Sequence, residues 1–167
     1  MLTHTEIIKK LKLIPLEGEG GFFSQTFKDS SSVLFQKSNH TDNLRAASTA
    51  IYFLITPEHF SVLHRLPQVE IFHFYLGSPV EMLQICPLGK MKKIILGHDI
   101  LADQQVQVII DRATWQGTRL VSGGDWALMG ATVSPGFEFS DLEVASRKEL
   151  LLQHPKHADA ILQFTRG

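Results

Sequence analysis

The chain has 167 residues, 44% of them apolar, which suits one domain spanning residues 1–167 with a substantial core. Its 16 basic and 17 acidic residues nearly cancel and form no block of one sign, so nothing in the charge points to nucleic acid or a membrane surface. The lone Cys86 excludes an internal disulfide, and its apolar surroundings make it an inert core thiol.

The amino terminus, MLTHTEIIKK, is polar rather than signal-like, and no stretch approaches the roughly 18 apolar residues that span a bilayer; the expected address is the cytoplasm. Residues 3–13 read as a short helix. Thr3 and Glu6 stand at capping-box spacing, and Ile7, Ile8, Leu11 and Ile14 form a stripe of helical period. The glycine-rich EGEGGFF at 17–23 has no Lys-Ser or Lys-Thr behind it and no strand before it, which excludes a phosphate loop. It reads as a turn into a strand over 22–27.

The polar segment 28–44 holds one apolar run, Val33–Phe35. Further strands are expected at 48–55, 60–66, 69–76, 80–86, 93–96, 105–110, 118–121 and 126–133, with Gly, Pro, Ser and Asp at the turns between them. Many short strands without intervening helices imply an all-β sandwich or barrel. The tail changes character, with helical segments at 146–153 and 157–164 separated by Pro155.

The chemistry concentrates in HRLPQVEIFHFYLG, residues 64–77. On strands of period two, His64 shares a face with Phe60, Val62 and Leu66, while Glu70 shares one with Phe72 and Phe74. Both polar groups then point into an aromatic interior, where they need partners. His73, three residues past Glu70, falls on the opposite face unless a bulge intervenes. His4, His40, His59, His98, His154 and His157 show no spacing logic.

This stretch resembles the first signature of the cupin superfamily, with His64, Glu70 and Gly77 in the histidine, glutamate and glycine places and Leu66 where a second histidine usually stands. DRATWQ at 111–116 resembles the second signature, with Gln116 in the place of its histidine. Several blocks in order, EGGFF, RAASTAIYFLI, FSVLHR, ILGHD, TWQG and SPGFEFSDLEVASRKELLLQHP, are similar to the cupin-5 family, also called DUF985. The resemblance implies a double-stranded β-helix, the jelly-roll barrel, with short terminal helices, similar to sugar epimerases and commonly homodimeric. It also implies a ligand set for a divalent transition metal, of which His64 and Glu70 are present and Gln116 is a weak substitute.

Three functions remain open on this reading. One is binding of a small polar ligand such as a sugar or nucleotide-sugar, with epimerase-like chemistry in which His64 is the base, Glu70 orients it, and Tyr52 or Tyr75 is the acid. Another is a metal-dependent oxygenase or isomerase. The third is a sensor or carrier with no catalysis. Gln116, Phe60, Phe72, Phe74, Tyr52, Arg45 and Glu19 are the candidate ligand contacts.

Overall fold

The computed structural model describes residues 2–36 and 42–167, so His40 lies outside the described residues. Helix α1 (His4–Leu11) begins at Thr3, whose hydroxyl accepts from the Glu6 amide while the Glu6 carboxylate accepts from the Thr3 amide. It ends at Lys12 in the left-handed region. The inward side of α1, centred on buried Ile7, packs on Leu54 and Leu128 of the sheet below.

Two antiparallel sheets form the barrel. The six-stranded one runs β1 (Ile14–Pro15), β2 (Phe22–Lys28), β5 (Thr49–Ile55), β12 (Ala127–Ser134), β7 (Val69–Gly77) and β10 (Gln107–Ile110). The five-stranded one runs β13 (Glu143–Val144), β6 (Ser61–Arg65), β11 (Trp115–Leu120), β8 (Val80–Ile85) and β9 (Met91–Leu96). A hairpin of β3 (Ser32–Gln36) and β4 (Asp42–Ala46) stands apart from both. Because side chains alternate along each strand, the two facing sheets each contribute inward rows, and Phe53, Phe72, Phe74, Met82, Val108 and Met129 meet in the interior.

The five-stranded sheet is covered on its outer face as well. Helices α2 (Arg147–Gln153) and α3 (Ala158–Gln163) set Leu150, Ile161 and Phe164 against Leu63, Leu83 and Ile85. The Leu63 amide donates to the Phe164 carbonyl at 2.8 Å, fastening the tail to β6. Two-sided cover explains why Ser61, Val62, Leu63 and His64 are all buried, without the alternation of a half-exposed strand. Among the described residues, no helix is long and apolar enough to cross a membrane.

Two differences from the sequence expectation have physical causes. Strand β4 falls in a polar segment, where hairpin residues such as Leu34 and Leu44 remain exposed and leave no burial pattern to read. Strand β11 begins at Trp115 rather than Thr118, because Gly117 is part of the ladder and not a turn. A Cβ there would lie 3.0 Å from the Ser61 carbonyl oxygen, so glycine lets β11 and β6 approach without pushing that backbone aside.

Candidate functional site

A polar cluster of Glu19, Ser61, His64, Glu70 and Gln116 lies inside the barrel, every member buried. His64 and Gln116 sit opposite each other on β6 and β11 of one sheet, whereas Glu70 is on β7 of the other. The Gln116 amide nitrogen donates to Glu70 Oε2 at 3.0 Å and to His64 Nε2 at 2.6 Å, so it is a polar strut across the interior. Its own Oε1 is buried without a hydrogen-bond partner.

The register between β6 and β11 slips here. His64 pairs with Gln116 and Ser61 with Thr118, three steps on β6 against two on β11. That bulge turns Ser61 and His64, which simple alternation would place on opposite faces, toward each other. Ser61 Oγ lies 3.5 Å from His64 Nδ1 and donates to Glu19 Oε1 at 2.8 Å. No sequence signal other than Gly117 in the facing strand marks this, which is why Ser61 escapes pattern reasoning.

Glu19 enters from the turn between β1 and β2. Gly18, Gly20 and Gly21 all have positive φ, the Gly20 amide donates back to the Leu16 carbonyl, and the Glu19 carbonyl accepts from Val62. The turn therefore lies flat on β6 with the Glu19 carboxyl pointing inward, 3.5 Å from His64 Nε2.

Burial governs the charges. Desolvation holds the His64 pKa below the ordinary imidazole value, outweighing the Glu70 charge and the bond to the Val62 carbonyl. His64 is thus neutral: Nδ1–H donates to Val62 O at 2.8 Å and Nε2 keeps its lone pair for Gln116. Its approach to Glu19 is accordingly a contact between neutral groups near pH 7 and not an ion pair. Desolvation pushes Glu19 up to about 8 against the relief from Ser61, and pushes Glu70 up to about 7. Carboxyls that exchange protons near neutrality are suited to acid–base work.

Above the cluster is a largely enclosed cavity of about 70 Å³. Glu19, His64 and Glu70 form its floor, and Phe23, Phe53, Phe72, Phe137 and Phe139 form much of its wall. The last two come from the loop after β12, whose Gly136 and Phe137 amides donate to the Ala46 carbonyl and the Thr49 hydroxyl.

Of the residues singled out from sequence, His64, Glu70, Gln116, Glu19 and Phe72 come together here. Four others lie elsewhere. Phe60 precedes β6 and faces the guanidinium groups of Arg119 and Arg166, since the bulge breaks the period that aligned it with His64. Phe74 points inward but deeper, edge-on to His98 at 4.8 Å. Tyr52 is on the outer face of β5, edge-on to Tyr75 at 6.2 Å beside α1, because its neighbours Ile51 and Phe53 take the inward positions. Neither tyrosine can serve as an acid at His64. Arg45 pairs with buried Asp141 at 3.4 Å and so steadies the loop of Phe137 and Phe139 rather than lining the cavity. His73 faces outward, within reach of Gln107 and Thr132 and stacked on Tyr75.

The family model described as "Cupin superfamily (DUF985)" matches residues 5–145. The chain belongs to this cupin family. It is similar over 99% of its length to the solved structure of a hypothetical protein from Leishmania major, at 28% identity and TM-score 0.89, with 100% of that chain covered. A Shewanella oneidensis protein matches at 29% identity and TM-score 0.87, with 99% of both chains covered. The cupin fold extends to the Bacillus subtilis oxalate decarboxylase, at 9% identity and TM-score 0.53, where this chain covers 37% of that one and 92% of itself. No curated protein matches.

The manganese centres of that decarboxylase raise the question of a metal in this cupin. A transition ion at His64 would need the Nε2 lone pair free and further anionic or imidazole donors around it. Here the Gln116 N–H points at that lone pair. Among the described residues, no three His, Cys, Asp or Glu side chains converge on a point that could hold an ion. The donor set in this arrangement does not fit a transition metal.

Proposed function

We propose that this cupin binds a small molecule in the barrel cavity, its apolar part against the phenylalanine wall and its polar end on Glu19, His64 and Glu70. The observation that supports this reading is the buried five-residue polar cluster, three of whose members form the floor of an aromatic-walled space; such groups are costly to retain unless something uses them. Size narrows the guest. About 70 Å³ is far below the roughly 300 Å³ or more of a drug-sized pocket, so a nucleotide-sugar is too large and a compact molecule fits.

Proton transfer is a second reading, favoured by Glu70. Its pKa of about 7 and its place on the cavity floor make it the better proton-exchanging group, since the His64 lone pair is already engaged by Gln116. The isomerase-like chemistry then runs through Glu70, with His64 and Gln116 positioning it.

The test is a thermal-shift screen of small sugars, polyols, acids and amines. A guest that binds only the folded state raises the melting temperature with concentration, and Glu70→Gln should abolish that rise. Equal protection of the variant would move the site elsewhere. The reading also includes a homodimer along β10, an edge strand that exposes Ile109, with exposed Val106 just before it. Light scattering should then give twice 18.7 kDa; a monomer at micromolar concentration removes the dimer.

A further inference from the structure

Counting donors and acceptors on the cavity floor narrows the class of guest, on the reading that the barrel holds a small molecule. At pH 8, where Glu70 is mostly ionised and Glu19 about half so, the fixed donors are already committed: His64 Nδ1–H to the Val62 carbonyl, the Gln116 amide to His64 and Glu70, and Ser61 to Glu19. What is left over is acceptor capacity. It comprises the carboxyl oxygens of Glu19 and Glu70, which line the cavity; behind them the strut's Gln116 Oε1 is also without a partner.

The surroundings are mostly apolar and, among the described residues, carry no fixed positive charge. Strands β2, β5, β7 and β12 and the loop after β12 contribute phenylalanine rings, aliphatic side chains, Gln25 and Thr49 to the lining. Among the described residues no lysine or arginine lines the cavity; Arg45, nearby in sequence to Thr49, is engaged with Asp141. Aromatic faces carry negative quadrupole potential and attract cations, so each ring that turns its face to the cavity favours the same sign as the floor.

We infer that the cavity selects a small organic cation, a primary ammonium on a short carbon skeleton. An ammonium group has three donors and no acceptor, which matches a floor of unspent acceptors. A carboxylate or phosphate brings only acceptors to that floor and finds no basic partner. A neutral alcohol can give one hydrogen bond and brings no charge to set against two carboxyls. A cavity of about 70 Å³ limits the guest to a short carbon skeleton.

The test uses three probes of one skeleton, propylammonium chloride, propan-1-ol and sodium propionate, titrated at pH 8 with chloride held constant. Melting temperature and calorimetric affinity are the readouts. Propylammonium should bind in the millimolar range, at least about tenfold tighter than either analogue, and Glu19→Gln and Glu70→Gln should each weaken it about tenfold. Circular dichroism of both variants confirms that they remain folded. Equal or tighter binding of propan-1-ol or propionate overturns the cation preference. If none of the three binds while another compound from the wider screen protects in a Glu70-dependent way, the cation inference fails and the small-ligand reading survives. If nothing in that screen protects, both fail.

Discussion

Replacing Glu19 by Gln is expected to stabilise this protein at alkaline pH and to flatten its stability profile between pH 5 and 8. Folded Glu19 titrates at about 8, while the same carboxyl in the unfolded chain titrates near 4.5. Between those values the folded state holds a proton that the unfolded state has released, so stability falls as pH rises through this window, by up to about 1.4 kcal/mol per unit. Glu70 adds to the fall between 4.5 and about 7. His64 works the other way: its lowered pKa means the unfolded chain takes up a proton first, so stability falls as pH drops below 6.5. A glutamine at position 19 keeps an acceptor for the Ser61 hydroxyl and offers an N–H toward His64 Nε2, yet has no charge to desolvate. The variant should exceed the wild type by about 2 to 4 kcal/mol at pH 8 and differ little at pH 5. Urea melts of both proteins at pH 5, 6.5 and 8 measure this. A wild-type stability that is level or rising from pH 5.5 to 8 would show that Glu19 is not held neutral. A buried carboxyl kept at such a cost is what a site selected for binding or proton transfer, rather than for stability, looks like.

The sequence made the architecture legible where burial leaves a period, and hid what depends on register and depth. Strands β5, β7 and β12 are continuous β-branched and aromatic runs between turn residues, and their observed bounds follow from that. His64, Glu70 and Gln116 were recognisable from motif spacing, and they do converge. Phe74 shows the limit of periodicity: it lies on the inward face with Glu70 and Phe72, but four residues along β7 carries it past the cavity to His98. Tyr52 fails differently, because an isolated apolar run does not reveal which of its two faces is inward. The pairing of Ser61 with Glu19 depends on a bulge and on a loop 42 residues away in sequence, neither of which leaves a local pattern. Phe137 and Phe139 belong to a loop, where no period exists to assign a face.

Gly20→Ala is expected to cost about 3 kcal/mol or more and to disable the cavity floor at the same time. Gly20 has φ of +105°, which an L side chain rarely adopts, and a Cβ built on it would lie 2.3 Å from the Phe60 carbonyl oxygen. That oxygen is backbone, at the entrance to β6, so the neighbour cannot simply rotate away. The Arg166 guanidinium, 2.5 Å from the same point, is a flexible end and can move. Relief therefore requires the turn to lift from β6, which stretches the bond between the Val62 amide and the Glu19 carbonyl and withdraws the carboxyl from Ser61 and His64. Two readouts should change together: the denaturation midpoint falls, and the pH dependence assigned to Glu19 weakens because the carboxyl regains water. Gly123→Ala is the matched control, since Gly123 also has positive φ, +85°, but a Cβ there meets nothing within 4 Å. It should carry only the conformational penalty of about 1 kcal/mol and leave the pH profile unchanged. If Gly20→Ala lowered stability no more than Gly123→Ala and kept the wild-type pH slope, the turn would not be what holds Glu19 in place.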